Sequence, residues 1–159
     1  MKNFILNALR ENARISAAEI AEQGNFEVTA VENTIKQLED EHIIRGYTAI
    51  CDSSVDDGKV KAVIEVKVTP NRDGGFDQVA QRIARYPEVS DLCLISGSFD
   101  LLITINGKSL NEVANFVASK LATIDGVLST STGFMLKKYK EAGRTMEDFE
   151  DYERLKVTP

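Results

Sequence analysis

The hydrophobic period of this chain changes once, and that change limits the folds open to it. Up to about residue 45, apolar residues recur at helical spacing; from residue 60 they alternate as strands require. Between them, Asp52-Ser53-Ser54-Val55-Asp56-Asp57-Gly58 is polar, acidic and turn-rich. A chain of 159 residues with such a break has room for two small domains. The expected division is a helical unit with a trailing strand over 1–51, a linker over 52–59, a mixed unit over 60–140 and an acidic tail over 141–159.

The first unit reads as three helices. Ile5, Leu6 and Leu9 share one side of a helix from Lys2 to Asn12. Ser16 and Glu19 have the spacing of a capping box, which opens a second, short helix that ends at the Gly24-Asn25 turn. A third helix runs to Glu41, with Val31, Ile35 and Leu38 as its inner stripe. Its start is open between Val28 and Thr29, with a Thr29/Glu32 capping box or a start on Glu27 as alternatives. His42 is expected at a helix-terminal cap, and the residues after Gly46 suit a strand. A short helix, a tight turn and a longer helix form the helix-turn-helix pattern, although a plain three-helix bundle uses the same core. The turn and the trailing strand, read as a wing, favour the DNA reader.

In the second unit, residues 61–69 alternate as a strand and Phe76, Val79, Ala80 and Ile83 mark a helix. Residues 89–96 and 101–105 pair across Gly97-Ser98. Ser109 and Glu112 cap a second helix, with Leu110, Val113, Val117 and Leu121 inward, and 127–138 is the last strand. The fold class is therefore α+β: a winged helix-turn-helix followed by a ferredoxin-like β-α-β-β-α-β domain. Both helices fall on one face of that sheet. The other face, apolar in places, needs a cover, and a second copy of the chain supplies one economically. Thr145 to Asp148 offers a cap for a short helix in the tail.

Composition narrows the function. No apolar run approaches the roughly 20 residues of a membrane helix, and the N-terminus lacks the apolar stretch of a signal peptide, so a cytoplasmic protein without membrane contact is expected. Cys51 and Cys93 are far apart and His42 is the single histidine, so neither a zinc site nor any other cofactor is expected. No G-x-S-x-G, P-loop or H-E-x-x-H is present, and the chain does not read as an enzyme. One feature opposes a DNA reader. The net charge is −6, and residues 1–50 hold five basic residues against eight acidic ones, although phosphate contact needs Lys and Arg.

Several stretches together resemble the leucine-responsive and asparagine regulator family, Lrp/AsnC. They are Arg14-Ile15-Ser16 with Glu19-Ile20-Ala21; Leu38-Glu39 with Ile43-Ile44 and Gly46-Tyr47; Gly97-Ser98-Phe99-Asp100-Leu101-Leu102; and Asp125-Gly126-Val127 with Thr132 and Leu136-Lys137-Lys138. In this order the resemblance covers nearly all of residues 2–140. It implies transcriptional control tuned by an amino acid, and a homodimer that can build an octamer. Three departures stand out: Thr34 occupies the position where the family carries an arginine in the recognition helix, Glu27 replaces a serine before that helix, and the first turn of helix 1 lacks the family's aspartate.

The partners expected are double-stranded DNA, a small effector and further copies of the chain. On the third helix, Thr29, Glu32, Asn33, Lys36 and Gln37 are read as outward; Asn33 and Gln37 suit adenine, Lys36 guanine or phosphate, and Glu32 cytosine N4. Arg14 and Ser16 at the mouth of helix 2, and Arg45 near the wing, are phosphate candidates. The Gly97-Ser98-Phe99-Asp100 turn is read first as a hairpin turn in which Gly97 takes a backbone angle other residues avoid. By the family resemblance it is also an effector site at a junction between subunits of the C-terminal domain, with backbone amides for a carboxylate and Asp100 for an α-amino group. Thr130, Ser131 and Thr132 are placed at the same junction. Two competing readings are a metabolite-sensing oligomer that has weak or lost DNA binding and acts through protein partners, and an assembly module without a ligand.

Overall fold

A computed structural model describes residues 1–52, 55, 58–70 and 75–146. Most of the linker, the loop after Pro70 and the tail from residue 147, including the end of the Thr145–Asp148 cap, lie outside the described residues. The chain forms two compact units, Met1–Cys51 and Asp52–Pro159.

The first unit contains helices α1 (Lys2–Glu11), α2 (Ala17–Gly24) and α3 (Val28–Asp40). Ile5, Ile20, Ala21, Val31 and Leu38 form its core, with Leu6, Leu9, Ile35 and Ile44 packed around it. The Ser16/Glu19 capping box is present in both directions. Helix α2 ends on Asn25, which adopts the left-handed conformation while Phe26 N–H donates to the Ala21 carbonyl at 2.9 Å. Gly24 instead makes room for an aromatic pair, since a Cβ there would lie 2.2 Å from the Phe26 ring, which packs edge-on against Phe4. Helix α3 starts at Val28 after Glu27, and no side chain caps it, so Thr29 and Glu32 form no capping box. Its C-terminus is a Schellman motif. His42, at φ 55°, donates to the Glu39 carbonyl, and Ile43 N–H to the Leu38 carbonyl.

The expected wing strand is not formed: residues 45–50 carry no strand. A strand is stable only when a second one satisfies its backbone groups, and this unit has none to offer. Tyr47 instead ties the segment to α3, its hydroxyl donating to a Glu39 carboxylate oxygen at 2.8 Å.

The second unit begins with β1 (Val60–Val68), α4 (Asp77–Ile83), β2 (Val89–Leu94) and β3 (Leu101–Gly107). Helix α5 (Leu110–Phe116), a π-turn (Val117–Leu121) and β4 (Val127–Phe134) follow. The sheet order β2-β3-β1-β4, all antiparallel, is that of the split β-α-β fold. Alternation along β1 and β3 buries Ala62, Ile64, Val66, Val68, Leu101, Ile103 and Ile105 against Val79, Ile83, Val113, Phe116 and Leu121. Lys61, Val63, Glu65, Lys67, Leu102 and Thr104 alternate to the opposite face, where Val63 and Leu102 are half-buried among polar neighbours. Leu110 departs from expectation: it is 56% exposed, and Phe116 fills the core in its place.

The last strand ends at Phe134 rather than at Lys138. A separate two-stranded ribbon follows, β5 (Lys140–Glu141) and β6 (Arg144–Thr145), closed by Ala142 and Gly143, both at positive φ. Thr145 is the last residue of that ribbon, and the expected boundary at 140 falls inside it.

Candidate functional sites in the reader and sensor units

Burial defines the free face of α3. Val31, Thr34 and Leu38 point inward. At 3.6 residues per turn the stripe opposite them is Thr29, Asn33, Lys36 and Asp40, all exposed, with Glu32 and Gln37 exposed on its two flanks. The predicted reading residues thus share one accessible surface, and Asp40, missed from the sequence, belongs to it. Thr34 does not. It is 6% exposed, and its hydroxyl donates to the Ala30 carbonyl at 2.7 Å. The position where the family carries an arginine faces the core here.

Acidic groups around α3 are partly engaged within the protein. Glu39 accepts from Tyr47, and burial, the Glu39 hydrogen bond and the Glu39 charge together push the Tyr47 hydroxyl up to about 12. Glu41 accepts from Gln37 and lies 3.8 Å from Lys2. At the mouth of α2, Arg14 and Ser16 are exposed, but the Ser16 hydroxyl is spent on Glu19. Hydrogen bonds from the Ser16 side chain and backbone lower the Glu19 carboxyl below its ordinary range. That carboxylate already occupies the helix N-terminus that would otherwise attract a phosphate. Arg45 is exposed in the irregular segment after α3.

In the second unit, the turn between β2 and β3 is closed by Ile95 N–H donating to the Asp100 carbonyl at 2.8 Å. Asp100 is bound into the sheet twice more. Its N–H donates to the Val66 carbonyl at 3.0 Å, and its carboxylate accepts from Val68 N–H at 2.9 Å, where β1 shifts register against β4. Gly97 does not take a positive φ, contrary to expectation, because the six-residue turn is wide enough to close without one. A Cβ on Gly97 would meet only Ile95, at 3.8 Å. Among the described residues, the N–H groups of Gly97, Ser98 and Phe99 donate to no backbone carbonyl.

Thr130 pairs with Val66, the residue whose other neighbour is Leu101, so it lies at the same end of the sheet as the turn, about 10 Å across β1. Thr132 pairs with Ile64, one pleat further away. Ser131 pairs with Glu65 and points to the opposite face, so the three hydroxyls do not converge. No group of three or more His, Cys, Asp or Glu among the described residues is arranged to hold a metal. No helix among them is long and apolar enough to cross a membrane.

A unit of helix-turn-helix form followed by a split β-α-β sheet domain is the architecture of a DNA-binding transcription regulator with a ligand-binding domain. Family comparison gives the same class: residues 5–45 match the winged helix-turn-helix DNA-binding model, and residues 61–145 match the Lrp/AsnC ligand binding domain model. The chain belongs to the Lrp/AsnC family of HTH transcriptional regulators. It is 45% identical over 157 residues to the uncharacterized HTH-type transcriptional regulator YugG of Bacillus subtilis, covering 98% of this chain and 95% of that protein. Its fold is similar to that of a transcriptional regulator of Neisseria meningitidis in complex with L-Met, with a TM-score of 0.66, 26% identity and coverage of 88% and 90% of the two chains. AsnC of E. coli is similar in fold at a TM-score of 0.66, with 21% identity and coverage of 88% and 93%.

Proposed function

We propose that this regulator acts in the cytoplasm as a homodimer, with octamers as a further assembly, and that an amino acid tunes its binding to a near-palindromic operator. Thr29, Glu32, Asn33, Lys36 and Gln37 are the base-reading set, and Arg14, Ser16 and Arg45 are the phosphate set, with Arg14 and Arg45 the stronger members because Ser16 serves Glu19. The effector carboxylate is assigned to the amides of Gly97, Ser98 and Phe99, its ammonium group to Asp100, and Thr130 and Thr132 to the flank of the site. The observation that carries this reading is the turn itself: three adjacent N–H groups without a backbone acceptor, beside a carboxylate. The L-Met complex of the Neisseria relative supports an amino acid as the ligand class.

The test has two arms. Fluorescence anisotropy on the gene's own upstream DNA should show tighter binding than on random duplex. A melting-temperature screen across the amino acids should show an upward shift for the effector, about 2.7 kcal/mol of stabilisation at a hundredfold excess over Kd. Asp100→Asn, which keeps an acceptor for the Val68 N–H but loses the charge assigned to the ammonium group, should keep the fold and abolish that shift. A shift of equal size in the variant removes Asp100 from the site.

A second reading is a metabolite-sensing oligomer that works through protein partners with little DNA affinity. The charge of the reader favours it, since the exposed stripe of α3 sets one cation, Lys36, against Asp40. Operator binding no better than random at low salt would establish that reading.

A further inference from the structure

The charge of this chain is unevenly distributed. Residues 1–50 hold five basic against eight acidic side chains, residues 51–134 hold eight against eleven, and residues 147–159 hold two against five. Residues 135–146 reverse the sign, with Lys137, Lys138, Lys140 and Arg144 against Glu141 alone. This stretch contains the β5–β6 ribbon, and its backbone is held in place. Met135 N–H donates to the Lys61 carbonyl at 2.8 Å, Met146 N–H to the Tyr139 carbonyl at 3.0 Å, and Lys140 pairs with Thr145 across the ribbon. Lys138 is half-buried in an ion pair with Glu141 at 2.7 Å. Lys137, Lys140 and Arg144 are exposed, with Lys137 lying over the Tyr139 ring at 5.0 Å.

We propose that the ribbon over residues 135–146 is a second DNA-contacting element, which engages phosphates without reading sequence. An ordered two-stranded ribbon presents its cations at little cost in conformational freedom, and its width suits a DNA groove or backbone. The net +3 of this stretch is the positive charge that the reader lacks, and phosphate neutralisation is what gives affinity independent of sequence. A duplex fits better than an acidic protein because this family binds DNA and its reader carries net negative charge. The inference rests on the DNA-binding reading for its partner alone.

The test uses the full chain with Lys137→Gln, Lys140→Gln and Arg144→Gln combined. Anisotropy is followed over a salt series on the upstream fragment and on random duplex of equal length. The slope of log K against log salt should fall by about 2 to 3, at roughly 0.9 per lost phosphate contact, with affinity falling equally on both duplexes. Lys36→Ala should instead weaken the upstream fragment more than the random one. An unchanged slope in a triple variant of unchanged melting temperature overturns the proposal and leaves the reader intact. So does a lost affinity that light scattering traces to dissociation of the oligomer, which would assign the ribbon, with its 96% exposed Leu136, to contact between copies. A slope that responds to these substitutions only after removal of residues 147–159 assigns the ribbon to that acidic stretch. A wild-type chain that binds neither duplex at low salt overturns this proposal and the DNA-binding reading together.

Discussion

Asp100 shows how one side chain can serve both architecture and ligand. Its carboxylate accepts the Val68 N–H at the register shift of β1. Replacement by Ala should therefore cost about 1–2 kcal/mol of the sensor unit by leaving that N–H unsatisfied. Asp100→Asn keeps an acceptor oxygen and should cost less, yet it removes the charge an ammonium group would meet. Denaturant unfolding of both variants, with and without the effector, separates the two roles. At this scale the sequence was only partly legible. That Asp100 lies at a turn between two paired strands was readable from Gly97-Ser98 and the flanking strands, but the width of that turn and the bond to Val68, 32 residues away, are products of topology. Thr34 was misleading for a related reason: the family resemblance implies an arginine on the recognition helix at this position, whereas its helical phase, between Val31 and Leu38, turns it inward.

Among the elements, the start of α2 and the end of α3 suggest two measurements. Ser16→Ala should lower reader stability by about 1 kcal/mol through loss of the capping box. Because the cap depresses the Glu19 carboxyl in the folded state, its contribution is present above the ordinary carboxylate range and is lost as pH falls through the lowered folded value. Acid unfolding should accordingly show the gap between wild type and Ser16→Ala closing as the pH drops. His42 occupies a left-handed position that favours glycine, so His42→Gly should stabilise the reader by about 0.5–1 kcal/mol, measured by urea midpoint. The capping box was legible because it is written in residues three apart. The wing was not, because strand propensity after Gly46 says nothing of whether a partner strand exists. The C-terminal ribbon was hidden for the opposite reason: its Ala142-Gly143 turn lacks the Asn-Gly or Asp-Gly pair that announces such hairpins.

The two units differ most in the size of their cores. Among the described residues, five buried apolar side chains hold the reader together, against thirteen in the sensor. Small cores are marginal on their own. On heating, reader amides such as those of Ile20 and Val31 should lose exchange protection before Ile64 and Ile103 do, as followed by hydrogen exchange. An effector binding only the sensor should raise the second transition alone; a ligand-induced rise in both would mean the units unfold together. The change of hydrophobic period between residues 45 and 60 brackets the point where the chain divides into its two compact units, because a change of period does not depend on the exact ends of the elements.

The π-turn after α5 bears on changes of chain length. At 3.6 residues per turn, Phe116 and Leu121 would stand about 140° apart on a regular helix. The wider turn, closed by Ala122 N–H donating to the Val117 carbonyl at 2.8 Å, lets both enter the core. Removing Ala118 would bring the two to a spacing of four, which an ordinary helix places on one side. This helix should therefore accept a one-residue deletion at 118 with little loss of melting temperature, whereas deletion of Ala114 should push Val113 and Phe116 out of phase and unfold the unit. The π-turn has the form of an insertion that the core absorbed, and shorter versions of this helix should remain foldable.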